Sequence, residues 1–419
     1  MKKLFYILPL LGMLFATLGC EEGTVVHTGE KWYGKIASNY ANGWGTKRKP
    51  YIIKTGGQLL YALKQGTGYL KLDNDIDLDN QQWTPYDFQG TLDGAGHTIS
   101  NLYIDCADEN ECGLIGTLWG TVQNLTIRGV NIVGGNNVGA IAGSGGYVRY
   151  HEGEDGIFTN CHVVLLNDSR ISGVESVGGI VGWISSGSCT SCIVEAAEDG
   201  AYIFGERYVG GIIGQGGVNN QTYGSRWTDI HVDDCHASGY ILGEKSVGGI
   251  AGYRIIPSKC SFAGTIEGAD EVGGIMGATY DPNGIDITEC KVVADIVGNG
   301  GGICGYTYGW GTKNFICCYT DGRAGGMIVG HASGGDVNII HSYSTISSTF
   351  AWVNAENSYD AKFYVIDSYS IHNSNNIAQT MKDAYSDYAD YWNFDNTWTW
   401  TGTVGGKAKN VKCPRLAWE

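Results

Sequence analysis

The segment Val177-Gly178-Gly179-Ile180-Val181-Gly182 returns with small changes along most of the chain. Close copies run from Val209 to Gly214, Val247 to Gly252 and Val272 to Gly277. Looser ones run from Val138 to Gly143 and Gly300 to Gly305, with Gly325-Gly326-Met327 after them and a half copy, Gly113-Leu114-Ile115-Gly116, before. Anchored on Gly113, Ala140, Gly179, Gly211, Gly249, Gly274, Gly302 and Gly326, the intervals are 27, 39, 32, 38, 25, 28 and 24 residues. One such unit is too short to bury a face by itself, so a period in this range means stacked coils. Glycine pairs suit a corner that needs positive φ or a place where coils approach closely, and the Val and Ile beside them suit a buried strand. A helical solenoid would carry apolar stripes of period 3.6 over about ten residues per repeat, and none is visible between Val138 and Ser370. The repeat is therefore a β-coil.

A second column follows the glycine motif, where an apolar strand carries Leu, Cys or Ser at one place: Leu102, Leu125, Cys161, Cys192, Cys235, Cys260, Cys290, Cys318, Ser342 and Ser368. Ten rungs at the parallel-strand spacing of ~4.8 Å predict a rod on the order of 40 to 50 Å long.

Met1-Lys2-Lys3 and the apolar run Leu4 to Leu18 predict a signal peptide over 1–19, without the length or flanking charges of a membrane span. Leu18-Gly19-Cys20 resembles a bacterial lipoprotein cleavage box, with Thr17 where Leu is more usual, so Cys20 is the expected lipidation site and membrane anchor. Glu21-Glu22 directly after it resembles the surface-export signal of Bacteroidetes lipoproteins, which implies the extracellular face of the outer membrane. The net charge of −16 argues against nucleic acid and anionic lipid as partners. With 43% hydrophobic residues the chain is too apolar for disorder, and a solenoid grows by adding coils, so one elongated domain is expected.

Thirteen cysteines in an exported chain invite a disulfide reading. Six of them sit in the rung column, however, where stacking needs a small buried side chain, and these read as free thiols. Cys106 and Cys112, across an acidic loop, are placed to bridge, as are Cys189 and Cys192. Residues 20–48 read as tether and outer wrap, and 49–100 as an N-terminal cap, in which Thr55 caps a helix carrying Leu59, Leu60 and Leu63. Within the cap, Leu72 to Asp79 predicts a strand with Asp73, Asp75, Asp77 and Asp79 on one face. Four carboxylates in line have the chemistry to hold Ca²⁺, but the Gly and distal Glu of an EF-hand loop are missing and a solvated face explains them equally well. No cofactor is otherwise expected. The solenoid spans 101–380, and the aromatics of 381–419, Tyr385 to Trp400, predict a C-terminal cap.

The stretch Phe88-Gln89-Gly90-Thr91-Leu92-Asp93-Gly94-Ala95-Gly96-His97-Thr98-Ile99, followed by Asn101-Leu102, Asn124-Leu125 and the Val-Gly-Gly-Ile-x-Gly series, resembles the GLUG-motif proteins of bacterial cell surfaces. Asp75-Ile76-Asp77-Leu78 and the ending Cys413-Pro414-Arg415-Leu416-Ala417-Trp418 share that resemblance. It implies an all-β, right-handed parallel β-helix displayed on the cell surface, of a type grouped with adhesins, with no catalytic residues in the motif.

Parallel β-helices also host polysaccharide-cleaving enzymes. Asp233-Asp234 is present, but strand neighbours point to opposite faces, and the Gly-His-Gly and Arg-Ile-Lys companions of a polygalacturonase-like site are missing. His151-Glu152 lacks the second His of a zinc protease, and no Gly-x-Ser-x-Gly elbow occurs. Binding is the better expectation. Extra residues after Ala140, Gly179 and Gly211 must loop outward, on one flank, in segments such as Tyr147 to Gly156 and Gly216 to Trp227. Tyr147, Tyr150, Tyr223 and Trp227 are the candidate contacts to a host or matrix glycan or protein. A stalk or scaffold role in a surface assembly is the nearest rival, and a β-helix polysaccharide-cleaving enzyme the next.

Overall fold

The computed structural model describes residues 31–146, 155–197, 200–217, 219–220, 226–324, 328–340, 342–344, 362–366, 369–370, 398–403 and 412–416. Among the described residues two parallel sheets of 19 and 15 strands wind into a β-solenoid, with one helix before the first coils. Each coil crosses the larger sheet in two short strands, turns at the cysteine column, crosses the smaller sheet and folds back through Val-Gly-Gly-Ile-x-Gly. The coil around Val247 is typical: His236–Gly248 in the smaller sheet, then Ala251–Tyr253 and Ile256–Ser258 in the larger, then Ser261–Gly273. Ile141, Ile180, Ile212, Ile250, Ile275, Ile303 and Ile328 stack as a buried ladder, with amide-to-carbonyl distances of 2.8–2.9 Å between successive members.

The glycines act through close approach. A Cβ on Gly182 would lie 2.3 Å from the Val138 nitrogen, and one on Gly252 2.3 Å from the Tyr208 carbonyl carbon, so the folded-back strands touch backbone to backbone. The left-handed conformation falls instead on the residue before each Val, at Ser176, Tyr208, Ser246 and Glu271, with φ of 55–58°.

Register corrects the second column at its start. Thr98 pairs with Thr126 and Leu102 with Val130, so Leu125 stacks beside His97, and Leu102 lies outside the column. From Leu125 the series runs through the six cysteines to Ser342. All six thiols are free and buried. Each sits just after a corner residue of φ 51–55°, from Asn160 to Cys317. Cys106 and Cys112 are disulfide-bonded, whereas Cys189 and Cys192, the other pair placed to bridge, are free and buried.

The helix α1, Gly56–Gln65, starts where Thr55 accepts from the Gln58 amide and stops at Gly66 in the left-handed region. It buries Leu59, Leu60 and Leu63. Asp73 to Asp79 do not form one strand: Thr67–Leu72 belongs to the larger sheet and Ile76–Asp77 to the smaller, so a corner separates the carboxylates. Asp73 pairs with Lys54, Asp75 accepts from the Thr98 amide, Asp77 from Asn101 and Asp79 from Lys31. Each carboxylate thus has a protein partner, and among the described residues no group of His, Cys, Asp and Glu is arranged to hold a metal ion. Most of 381–419, the expected aromatic cap, lies outside the described residues; Trp398–Thr403 pairs antiparallel with Lys412–Leu416.

Candidate ligand-binding seam

Two of the three long insertions leave the solenoid at the same turn, between the two larger-sheet strands of a coil. One separates Ala142–Gly145 from Gly156–Thr159, the other Ile213–Gly216 from His231–Asp233. The coil between them, Val181–Ile184 and Gly187–Thr190, is joined by Ser185-Ser186 alone, so the insertions flank it one rung to each side. The third insertion breaks the smaller sheet between Ile193–Ala196 and Tyr202–Gly210, which corrects the expectation of one flank for all three. Asn219–Asn220 and Arg226–Trp227 form an antiparallel pair inside the second insertion, placing the backbone of Trp227. Tyr147, Tyr150, Tyr223 and Cys20 lie outside the described residues.

A row of side chains beside these mouths was hidden in the sequence. Leu118, Ile184, Thr279, Thr307 and Ala332 sit in the core at 0% exposure or close to it, so the residue before each lies on the opposite face by strand alternation. Register lines four of these up with three more residues, in the order Ser144, Trp183, Gln215, Tyr253, Ala278, Tyr306 and His331. Aromatic rings occupy every second rung. Their separation is therefore about 10 Å, two parallel-strand spacings.

The fold-back corner residues, left-handed at Ser176 and Tyr208, form the facing row. Ser176 Oγ donates to Gln215 Oε1 at 3.0 Å, Tyr208 packs on Tyr253 with centroids 5.2 Å apart, and His331 Nε2 meets Asn299 Oδ1 at 2.7 Å. Glu111 accepts from Asn137 and Ser144 at one end, and burial raises its carboxyl pKa against those bonds. Burial lowers the His331 pKa, so its imidazole holds a proton less readily than a free one. Tyr253 is mostly buried and its hydroxyl meets that of Tyr308 at 2.6 Å, while Tyr280 and Tyr306 pack on Tyr308 at 4.9 and 5.3 Å. Burial raises the phenol pKa of Tyr253, which stays neutral. Trp183, Tyr208, Gln215 and Tyr306 are half-buried, leaving part of each side chain to solvent. Trp183 Nε1 donates to the Gly217 carbonyl at 3.3 Å, so the seam touches the mouth of the second insertion. The arrangement offers half-buried aromatic faces at Trp183, Tyr208 and Tyr306 with the Gln215 amide among them, a surface that suits a polyhydroxylated ligand.

The smaller sheet carries a different feature. Ser261 Oγ lies 3.2 Å from His236 Nδ1, and Asp234 Oδ1 lies 3.4 Å from His236 Nε2, beside a recess of about 180 Å³ lined by Glu195, Ser238 and Lys291 among others. Serine, histidine and carboxylate in series have the makings of a nucleophile. The amides of His236, Ser261 and Lys291, however, are spent on the carbonyls of Cys192, Cys235 and Cys260, and hold none back for an oxyanion.

Comparison with known proteins gives partial matches. No family model matches the chain. Halomucin of Haloquadratum walsbyi is 39% identical over 101 residues, which is 24% of this chain and 1% of halomucin. A provisionally named Gly-rich membrane protein of Evansella cellulosilytica is 33% identical over 131 residues, 25% of this chain and 15% of the relative. The matches thus span a small part of both relatives' length. A solved Bacteroides ovatus structure, provisionally described as an immunoglobulin A1 protease, is 19% identical and covers 91% of this chain and 96% of its own with a TM-score of 0.41, a likeness too low to carry an argument. Among the described residues no helix is long and apolar enough to cross a membrane.

Proposed function

We propose that the chain is a surface lipoprotein of the GLUG-motif, adhesin-like type, anchored through Cys20, that binds a host or matrix glycan or protein and has no enzymatic activity. The observation that carries this reading is the coincidence of two long insertions with an aromatic and polar seam on one edge of the solenoid. Placement at the outer surface is supported by the apolar leader ending at Cys20 and by the membrane-protein name of one relative. The test is a screen of the full-length chain in detergent against arrayed glycans and matrix proteins, with release of reducing ends followed on every glycan hit. Saturable binding without release, lost when 147–155 and 217–227 are shortened, supports the reading. Stable co-purification with envelope partners and a blank array would favour the scaffold role instead.

The contact of Ser261, His236 and Asp234 supports a hydrolase as the second reading. Release of acyl groups from an esterified glycan that disappears in Ser261→Ala would establish it and displace the first.

A further inference from the structure

We propose that the seam binds an extended, neutral polysaccharide laid parallel to the solenoid axis, with one disaccharide for every two rungs. This inference rests on the binding reading above and names its ligand. The geometry begins with the alternation of Trp183, Tyr253 and Tyr306 with Gln215, Ala278 and His331. Tyr253 is covered at its level by Tyr208, which offers its own half-buried ring there, so the accessible faces are Trp183, Tyr208 and Tyr306. Two parallel rungs advance about 10 Å. An extended pyranose chain repeats its orientation every two sugars over a comparable distance, so that every second ring would meet an aromatic face from the same side.

The intervening levels are built for the sugars that do not stack. Gln215, held by Ser176, gives an amide at one such level, and the exposed Asn299, held by the buried His331, gives an amide at another. Between them Ala278 is fully buried, so at that level it puts no side chain in the path of the chain. Charge selects the class. The chain carries −16 overall, and the seam's own carboxylates, Glu111 and Glu271, are held by Ser144 and Asn137 and by Ser246 and Lys245. A polyanion would meet repulsion along its length, whereas hydroxyls of a neutral chain accept and donate to these groups.

The measurement is the affinity of the full-length chain in detergent for two series of neutral β-1,4-linked oligomers, of glucose and of N-acetylglucosamine, from disaccharide to hexasaccharide, with a sulfated polysaccharide alongside. At least one neutral series should bind, gaining affinity in two-sugar steps. Trp183→Ala, Tyr208→Ala and Tyr306→Ala should each weaken the hexasaccharide by roughly threefold to tenfold, and Tyr240→Ala, on the smaller sheet, should leave it unchanged. Circular dichroism of each variant against the parent separates loss of a face from loss of fold. No binding by either neutral series, affinity independent of length, preference for the sulfated polymer, or indifference to all three variants would overturn the proposal. A protein ligand lost on shortening 217–227 but kept in the aromatic variants would also overturn it, while leaving the broader binding reading in place.

Discussion

Cys318 and Ser342, successive members of one column, donate to equivalent pairs of backbone carbonyls. Cys318 Sγ reaches the oxygens of Ile316 and Ile287, both at 3.6 Å, and Ser342 Oγ those of Ile340 and Phe315, at 3.0 and 3.2 Å. In each case one acceptor lies two residues back and the other one coil below, Ile287 being the register partner of Phe315. Cys161, Cys192 and Cys260 repeat the arrangement. The column thus sets a small donor beside backbone carbonyls where the larger sheet ends. Burial fits the role by pushing the Cys318 thiol up to about 12.

Cys318→Ser should therefore shift stability by less than about 1 kcal/mol, and Cys318→Val, which removes the donor and adds bulk, should cost about 1–3 kcal/mol. Urea unfolding followed by circular dichroism distinguishes them. Equal losses from both would mean that size alone, and not donation, selects the residue.

Gly252→Ala should be far more damaging than its chemistry suggests. The new Cβ would stand 2.3 Å from the Tyr208 carbonyl carbon and 2.3 Å from the Val209 nitrogen, both backbone, so no side chain can swing away. A loss of at least about 3 kcal/mol, or failure to fold, is expected. A variant melting within a few degrees of the parent would show that the fold-back tolerates a side chain.

Much of this was legible in the sequence, and the failures share a physical origin. The Val-Gly-Gly-Ile-x-Gly period announced stacked coils, and Thr55 and the leucines after it announced α1. Which property of glycine mattered was not legible, since close approach and positive φ call for the same residue. Leu102 was misplaced because Asn101-Leu102 repeats the look of Asn124-Leu125, and register alone separates them. The tyrosine alternation was invisible because the insertions make Trp183, Tyr253 and Tyr306 unequal distances apart in sequence while the ladder makes them equal in space. Sequence reasoning sought the contacts on Tyr147, Tyr150, Tyr223 and Trp227 in the insertions and overlooked the rungs beside them.

Arg254 and Asp281 form an ion pair at 3.2 Å, both almost fully buried, with Arg254 also donating to the Thr228 and Tyr280 carbonyls. Arg254→Ala would strand the Asp281 carboxylate and should cost about 3–5 kcal/mol. Adding Asp281→Asn to it should recover part of that loss, since a neutral amide still accepts from the Asn283 and Gly284 amides as Asp281 Oδ1 does. Unfolding midpoints of the two single variants and the double variant measure the coupling, and strictly additive losses would show that the pair contributes nothing as a pair.

Lys313 gives the pH dependence that is simplest to isolate. Its side chain is fully buried, with the ammonium donating to the Gly309 and Gly334 carbonyls, and burial lowers its pKa from 10.5 to about 8, the nearby Asp281 acting in the opposite sense. Below pH 8 the amine is charged in folded and unfolded chains alike, and the cost of burying that charge is fully present. Between about 8 and 10.5 the folded chain gives up its proton first, the unfolded chain binds more protons, and stability rises with pH. The slope from this one group is on the order of 1.4 kcal/mol per pH unit at most. Lys313→Met should abolish that rise while leaving every other titration in place, including those of tyrosines that ionise in the same range. Subtracting the variant's stability curve from the parent's between pH 7 and 11 should therefore leave an upward step centred in this window. A flat difference would mean that Lys313 reaches water in the folded chain, and a downward step that its carboxylate neighbours outweigh its burial.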